Sequence, residues 1–443
     1  MKMKKTKTRV VVSLLALVAL LVYSLNGIAG NLEPSAPPGP TMKTLDDVEP
    51  RIPLNSETAP GDATSFYKIT SSGSYYLTET ITVNFKHAIV IDCDNVTVDL
   101  MGHTIQSKWY SSLPGAFLDF SGVYIDQNQK NIIIRNGMIY SNNDLRSPTT
   151  FYKGFLDGIY GTGDNSFVTV INVSVKNSRE NGIYISGSGI VKNCIVENNG
   201  NSSDNTVYGI GCGAYSTIAD NKVTGTGNSA YGMVRAVHAS HGSIVKGNVI
   251  SDNGTNAGVV RVGGTPQDVY GITTHNGCKI VNNTLHNNGF STGGEINVID
   301  VGHCCIIAEN TMYLNGKQAS GVVQGIRTGS GCNVVNNTAY ENGYEAEDNV
   351  LGLSVGGGST VSGNTVCRNG WTAGGDVSGI YVSSGVNVIG NTVSHNGIGA
   401  GGTCYAVILT NGNLFDQNTL FSNFGTELDA PPIGWTPGTN HIP

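Results

Sequence analysis

Asn337-Thr338-Ala339-Tyr340-Glu341-Asn342-Gly343 and Asn364-Thr365-Val366-Cys367-Arg368-Asn369-Gly370 are one local pattern written twice. Each is an asparagine, a short strand-like run, and a second asparagine followed by glycine. The pattern persists outward from this pair. Asn283, Asn310, Asn337, Asn364, Asn391 and Asn418 stand 27 residues apart. Asn288, Asn315, Asn342, Asn369, Asn396 and Asn423 repeat that spacing five residues later. Toward the N-terminus, Asn193, Asn221 and Asn248 extend the first column, and the longer step to Asn283 implies an eight-residue insertion near Gly263 to Tyr270. Strict repetition of short strands without a helical period is the signature of a β-solenoid, one coil per repeat. The expected fold is all-β, a right-handed parallel β-helix with three short strands in each coil.

Around Asn283 the three strands are expected near Gly271 to Thr274, Cys278 to Val281 and Thr284 to His286. Twelve residues before the reference asparagine sits a mostly small residue: Gly209, Ala236, Gly271, Val298, Gly325, Gly352, Gly379 or Ala406. Five residues before it sits Ser216, Ser243, Cys278, Cys305, Cys332, Ser359, Val386 or Asn413. Coils stacked ~4.8 Å apart bring equivalent residues into contact. Cys278, Cys305 and Cys332 are therefore expected as an interior stack of small buried side chains rather than as a disulfide or metal site. The asparagine columns are expected to form amide ladders at tight turns. Both hold the fold and neither carries chemistry.

Glycine supplies 60 of 443 residues and charged side chains only 13%. That composition suits short strands and tight turns, and it fits neither a helical nor a disordered protein. Residues 1–30 read as a targeting segment, with Lys2, Lys4, Lys5, Lys7 and Arg9 before the apolar run Val10 to Val22. Cleaved, it makes the protein secreted or cell-surface; uncleaved, it is the one expected membrane contact. Residues 31–60 are a Pro-rich linker, order is expected from about Phe66 within a β-helix over 61–424, and 425–443 reads as a C-terminal cap. The formal net charge of −7 argues against a nucleic-acid partner. Nine cysteines is an odd number, so one at least is unpaired within the chain.

Three strands per coil, an asparagine turn before the third, and variable loops before the first resemble the pectin-lyase-like right-handed β-helix superfamily. Asn95-Val96-Thr97-Val98-Asp99-Leu100-Met101-Gly102-His103-Thr104-Ile105 is similar to the first coil of bacterial β-helix repeat proteins. The resemblance implies an exported protein, often one that lyses, hydrolyses or epimerises acidic polysaccharides, with catalysis on the outer face of the first strand of each coil. The polygalacturonase, pectate lyase and epimerase motif sets of that superfamily are missing here.

On that outer face, alternation places one column: Gly211, His238, Thr273, Asp300, Arg327, Ser354, Tyr381 and Ile408. Its middle is chemically irregular. His241, His275 and His303 follow the same strands, and Arg235, Asp268, Tyr270 and Glu295 precede them. Removing the proton beside a uronate carboxylate needs a cation, a base and an acid. Arg327 suits the first role, His238 or His241 the second, and Tyr270 or His275 the third, with Asp300 orienting an imidazole or holding Arg327. Arg235, His303 and Tyr381 are candidate substrate contacts. Calcium, held by Asp268 and Glu295, would replace or assist Arg327. Asp300 with Glu295 or Asp268 leaves two-carboxylate hydrolysis open.

The bland readings are an exposed Asp300–Arg327 ion pair and stacked turn histidines. The expected function is binding and modification of an acidic polysaccharide by a lyase, hydrolase or epimerase. The rival is a non-catalytic surface glycan-binding or structural, adhesin-like protein, in which Tyr160, Tyr208, Tyr270, Tyr344, Tyr381 and Trp371 would stack on sugars.

Overall fold

The computed structural model describes residues 51–108, 119–142, 154–201, 203–257, 267–429, 436–437 and 439–442. The targeting segment expected over 1–30 lies outside the described residues. Within them there is no helix, and none is long and apolar enough to cross a membrane. Every strand pairs parallel with its equivalent in the next coil. One face is a 14-stranded sheet; a 26-stranded sheet folds around the other two. In the early coils single strands, Lys130–Tyr140 and Ser166–Lys176, run across both of those faces. Later coils break at the same place into pairs such as Lys279–Val281 and Thr284–His286. The chain is a right-handed parallel β-helix.

Its interior follows from period-2 alternation repeated at a fixed coil length. Ile272, Ile299, Ile326, Leu353 and Ile380 form one fully buried column. Ile280, Ile307, Val334, Val361 and Val388 form another. Since each apolar side chain lies directly over its equivalent, the core is continuous along the axis.

The asparagine columns are amide ladders, as expected. Asn337 Oδ1 accepts from Asn310 N and Nδ2, each at 3.0 Å, and Asn337 Nδ2 donates to Ile307 O at 2.8 Å and Asn364 Oδ1 at 3.1 Å. One member differs. Asn193 belongs to the preceding turn residue, at φ 53°, and Cys194 occupies the ladder position. Cys194 N donates to Asn221 Oδ1 at 2.9 Å, and its thiol donates to Val170 O at 3.6 Å. The apparent irregular step at Asn193 thus disappears, because sulfur reaches toward a carbonyl where the amide otherwise would.

Cys278, Cys305 and Cys332 are buried and unbridged. They are more than space-filling. Ser216 N donates to Ser243 Oγ at 3.0 Å, Cys278 N to Cys305 Sγ at 3.3 Å, Cys305 N to Cys332 Sγ at 3.3 Å, and Cys332 N to Ser359 Oγ at 3.0 Å. Serine and cysteine share this column because each offers a small acceptor to the coil below.

Three boundaries shift. Arg51–Pro53 is already a strand, paired with Gly73–Tyr76, and Leu54 and Ala59 lie in the core. Residues 51–60 of the expected linker therefore belong to the solenoid, ahead of Phe66. The eight extra residues fall between Ala257 and Val269, so Tyr270 is a strand residue and not part of an insertion. The C-terminal segment continues the stack: Thr426–Asp429 pairs with Cys404–Leu409, and Asn418 N donates to Asn440 Oδ1 at 3.0 Å.

Candidate functional site

Each later coil gives the first face a six-residue strand, for example Val269–Thr274, whose second and fifth residues point outward. Two outward columns follow. The fifth residues are Gly211, His238, Thr273, Asp300, Arg327, Ser354, Tyr381 and Ile408, in unbroken register. This is the column expected from the sequence, so His238, Asp300 and Arg327 share one face. The second residues are Tyr208, Arg235, Tyr270, Asn297 and Gln324, a parallel column that sequence reading saw only as flanking residues. Shifting the period-2 reading by three residues would have found it.

Side chains gather most closely around Arg235 and His238. The Arg235 guanidinium lies 5.8 Å from the ring centres of both Tyr208 and Tyr270, and its Nη1 donates to the Tyr208 hydroxyl at 3.3 Å. It closes no ion pair with a carboxylate among the described residues. His238 packs 5.6 Å from Tyr208 and 5.5 Å from His275, and His275 lies 4.7 Å from His241. His275 Nδ1 is also 3.1 Å from the Ser240 hydroxyl. The expected cluster of His238, His241, His275, Arg235 and Tyr270 is therefore assembled.

Other candidates stand apart. His303 is held by the turn of the next coil, where its Nδ1 accepts from Ser330 N at 2.9 Å. It stacks in register with Asn276, not with His275, because the two histidines sit one position apart in turns of equal length. Arg327 is exposed, and it lies three coils from His238, a separation of ~14 Å. Asp300 and Arg327 are register neighbours but close no ion pair among the described residues, so the simple ion-pair reading does not hold. Tyr381 lies a further two coils on.

Burial sets the protonation. His238 is depressed to about 4, first by burial and then by Arg235 and His275. Its Nδ1 has no hydrogen-bond partner. His275 is lowered by burial, His241 and Arg235. Burial, then Asp268 and Asp300, push Tyr270 up to about 12. Asp300 is raised by burial, against the opposing pull of Arg327 and Arg235. At neutral pH His238 and His275 are neutral, Tyr270 is protonated, and the Arg235 guanidinium closes no carboxylate ion pair among the described residues. Asn297, one coil beyond Tyr270, is fully buried with both amide atoms unpaired. Nothing in the column pattern marked it.

Calcium does not fit the acidic pair. Asp268 Oδ1 accepts from Glu295 N at 3.0 Å, and Oδ2 accepts from the Tyr270 hydroxyl at 3.4 Å. Among the described residues no three His, Cys, Asp or Glu side chains are gathered to hold a metal. Asp268 acts instead as an anchor for Tyr270.

The aromatic residues form ladders. Ring centres of Tyr124, Tyr160, Tyr184 and Tyr208 follow at 6.2, 5.6 and 5.2 Å, leading up to His238. Gly211 makes the crossing from one column to the other possible, since a Cβ there would lie 2.8 Å from Tyr184 Cδ2. Tyr344 and Trp371 stack at 6.1 Å. Within these ladders each ring faces a neighbour, which leaves edges and hydroxyls, rather than open faces, for a ligand.

No protein-family model matches the chain, and no curated protein is significantly similar to it. Several solved structures overlap it. The A-module of mannuronan C-5 epimerase AlgE4 of Azotobacter vinelandii shares 13% identity over 82% of this chain and 91% of its own, with a TM-score of 0.45. A periplasmic alginate epimerase, AlgG, shares 12% identity over 88% and 84%, with a TM-score of 0.43. The Dettilon tailspike protein shares 16% identity over 81% of this chain, which spans 61% of the tailspike, with a TM-score of 0.39.

Proposed function

We propose that this chain binds an acidic polysaccharide on its first face and acts on a uronate unit at the Arg235–His238 cluster. One observation carries the reading: a guanidinium fixed between two tyrosine rings, with no carboxylate ion pair among the described residues, beside a neutral imidazole whose buried Nδ1 lacks a hydrogen-bond partner. Such a cation seats a substrate carboxylate and stabilises the charge that develops when the adjacent carbon loses its proton. The neutral imidazoles of His238 and His275 are the acceptors for that proton, with His241 against His275. Tyr270, held protonated, donates to the departing oxygen in a lyase or to the opposite ring face in an epimerase. Arg327 contacts a carboxylate further along the chain. Two-carboxylate hydrolysis is less well supported, since Asp268 is already tied to Glu295 and Tyr270. Export through residues 1–30 belongs to the same reading.

The test is a screen of the protein on uronate polymers, with and without calcium, for unsaturated ends or changed C5 configuration. Arg235→Ala and His238→Ala are expected to lower turnover by about 10²–10⁴-fold with the thermal transition retained. Glycan binding without product on any polymer would replace this reading with a non-catalytic, glycan-binding surface protein.

A further inference from the structure

In eight consecutive coils the turn after the first-face strand passes through the left-handed region, at Tyr215, Gly242, Gly277, Cys304, Gly331, Gly358, Gly385 and Gly412, with φ from 56° to 73°. Glycine takes six of these positions because a Cβ is strained there. Tyr215 is an exception in kind, a bulky aromatic at φ 58°. Burial does not compensate, since Tyr215 is 80% exposed. Strain kept at an exposed position points to a use outside the fold.

The ring is nevertheless seated. A Cβ on Gly242 would lie 2.8 Å from Tyr215 Cδ1 and 2.9 Å from Cε1, so the ring rests on the bare glycine of the next coil. Its backbone N–H donates to His241 O at 2.8 Å, which joins it to the turn of the histidine cluster. Unlike the ladder tyrosines, Tyr215 has no aromatic neighbour on its other side among the described residues, and that side faces solvent. A flat, half-supported ring with a polar tip suits the apolar C–H face of a sugar.

We propose that Tyr215 is a stacking platform for a pyranose unit next to the one held at Arg235 and His238. The polysaccharide then crosses from the first face over this turn, one coil below His238. This rests on the polysaccharide reading above, and it adds a subsite and a direction to it.

The experiment is calorimetric titration with tetrasaccharides of mannuronate, galacturonate and glucuronate, and with neutral cellotetraose and mannotetraose. Tyr215→Gly installs the residue of six sister turns, so its thermal midpoint is expected to be unchanged or higher. Its affinity is expected to fall about tenfold, whereas Tyr215→Phe keeps the ring and the affinity. Wild-type affinity of Tyr215→Gly for every tetrasaccharide that the parent binds overturns the platform. A ring-dependent loss with neutral probes alone keeps the platform and removes the acidic substrate. A parent protein that binds none of the probes overturns both.

Discussion

Asp157 illustrates how far one buried group sets the pH behaviour of this fold. It is 3% exposed and accepts from Asn181 N at 3.1 Å and Asn181 Nδ2 at 2.8 Å. Burial raises its carboxyl to about 7 despite those bonds. The native state therefore holds a proton that the unfolded chain has released, so this contribution is full below about pH 4 and is lost as pH rises through about 7. Asp157→Asn keeps both acceptor contacts. Its stability advantage in urea unfolding should grow from pH 5 to pH 9, by up to about 3 kcal/mol. His238 has the opposite sign. Its folded value of about 4 lies below that of the unfolded chain, so its contribution is present above about pH 6.5 and is lost as pH falls through about 4. His238→Gln should flatten that acid limb by about 1–2 kcal/mol, an amount reduced by the ring's partial exposure. A pH–stability profile that is the same in parent and variant would contradict either assignment.

At the scale of an element, the turns are held by side-chain ladders rather than by turn chemistry alone. Asn337→Ala removes the side-chain acceptor of Asn310 N and a donor to the Ile307 carbonyl in the interior, while Asn310 Nδ2 keeps Ile280 O and Ala308 O. A loss of about 3–5 kcal/mol in equilibrium unfolding is expected, because each orphaned buried group adds its own desolvation cost. The cysteine column makes the converse case. Cys305→Ser retains an acceptor for Cys278 N and should change stability by less than about 1 kcal/mol, as Ser216, Ser243 and Ser359 already serve there. Cys305→Val fills the same space without an acceptor and should cost about 1–3 kcal/mol. Equal effects of the two substitutions would show that volume alone governs the column.

At the scale of the molecule, each coil touches only its neighbours, so stability and function are both distributed along one axis. The site is a result of that arrangement: His238, Asp300 and Arg327 are far apart in the chain and share one column. The ends are where a stack is exposed. Truncation after Gly425 removes the pairing of Thr426–Asp429 and the Asn440 contact to Asn418. The shortened protein should melt at a lower temperature and scatter more light as concentration rises, because an open edge templates association. The coil length, the inward columns and the amide ladders were legible in the sequence alone, since period-2 alternation repeated at constant spacing leaves each residue a single place in the stack. The column holding His238, Asp300 and Arg327 was legible for the same reason. Packing decided the rest. Whether Arg235 meets a carboxylate or two tyrosine rings depends on side-chain direction, and so does the engagement of Asp268 by Tyr270. Spacing along the chain fixes which residues share a column, and contact between coils determines which partners their side chains meet.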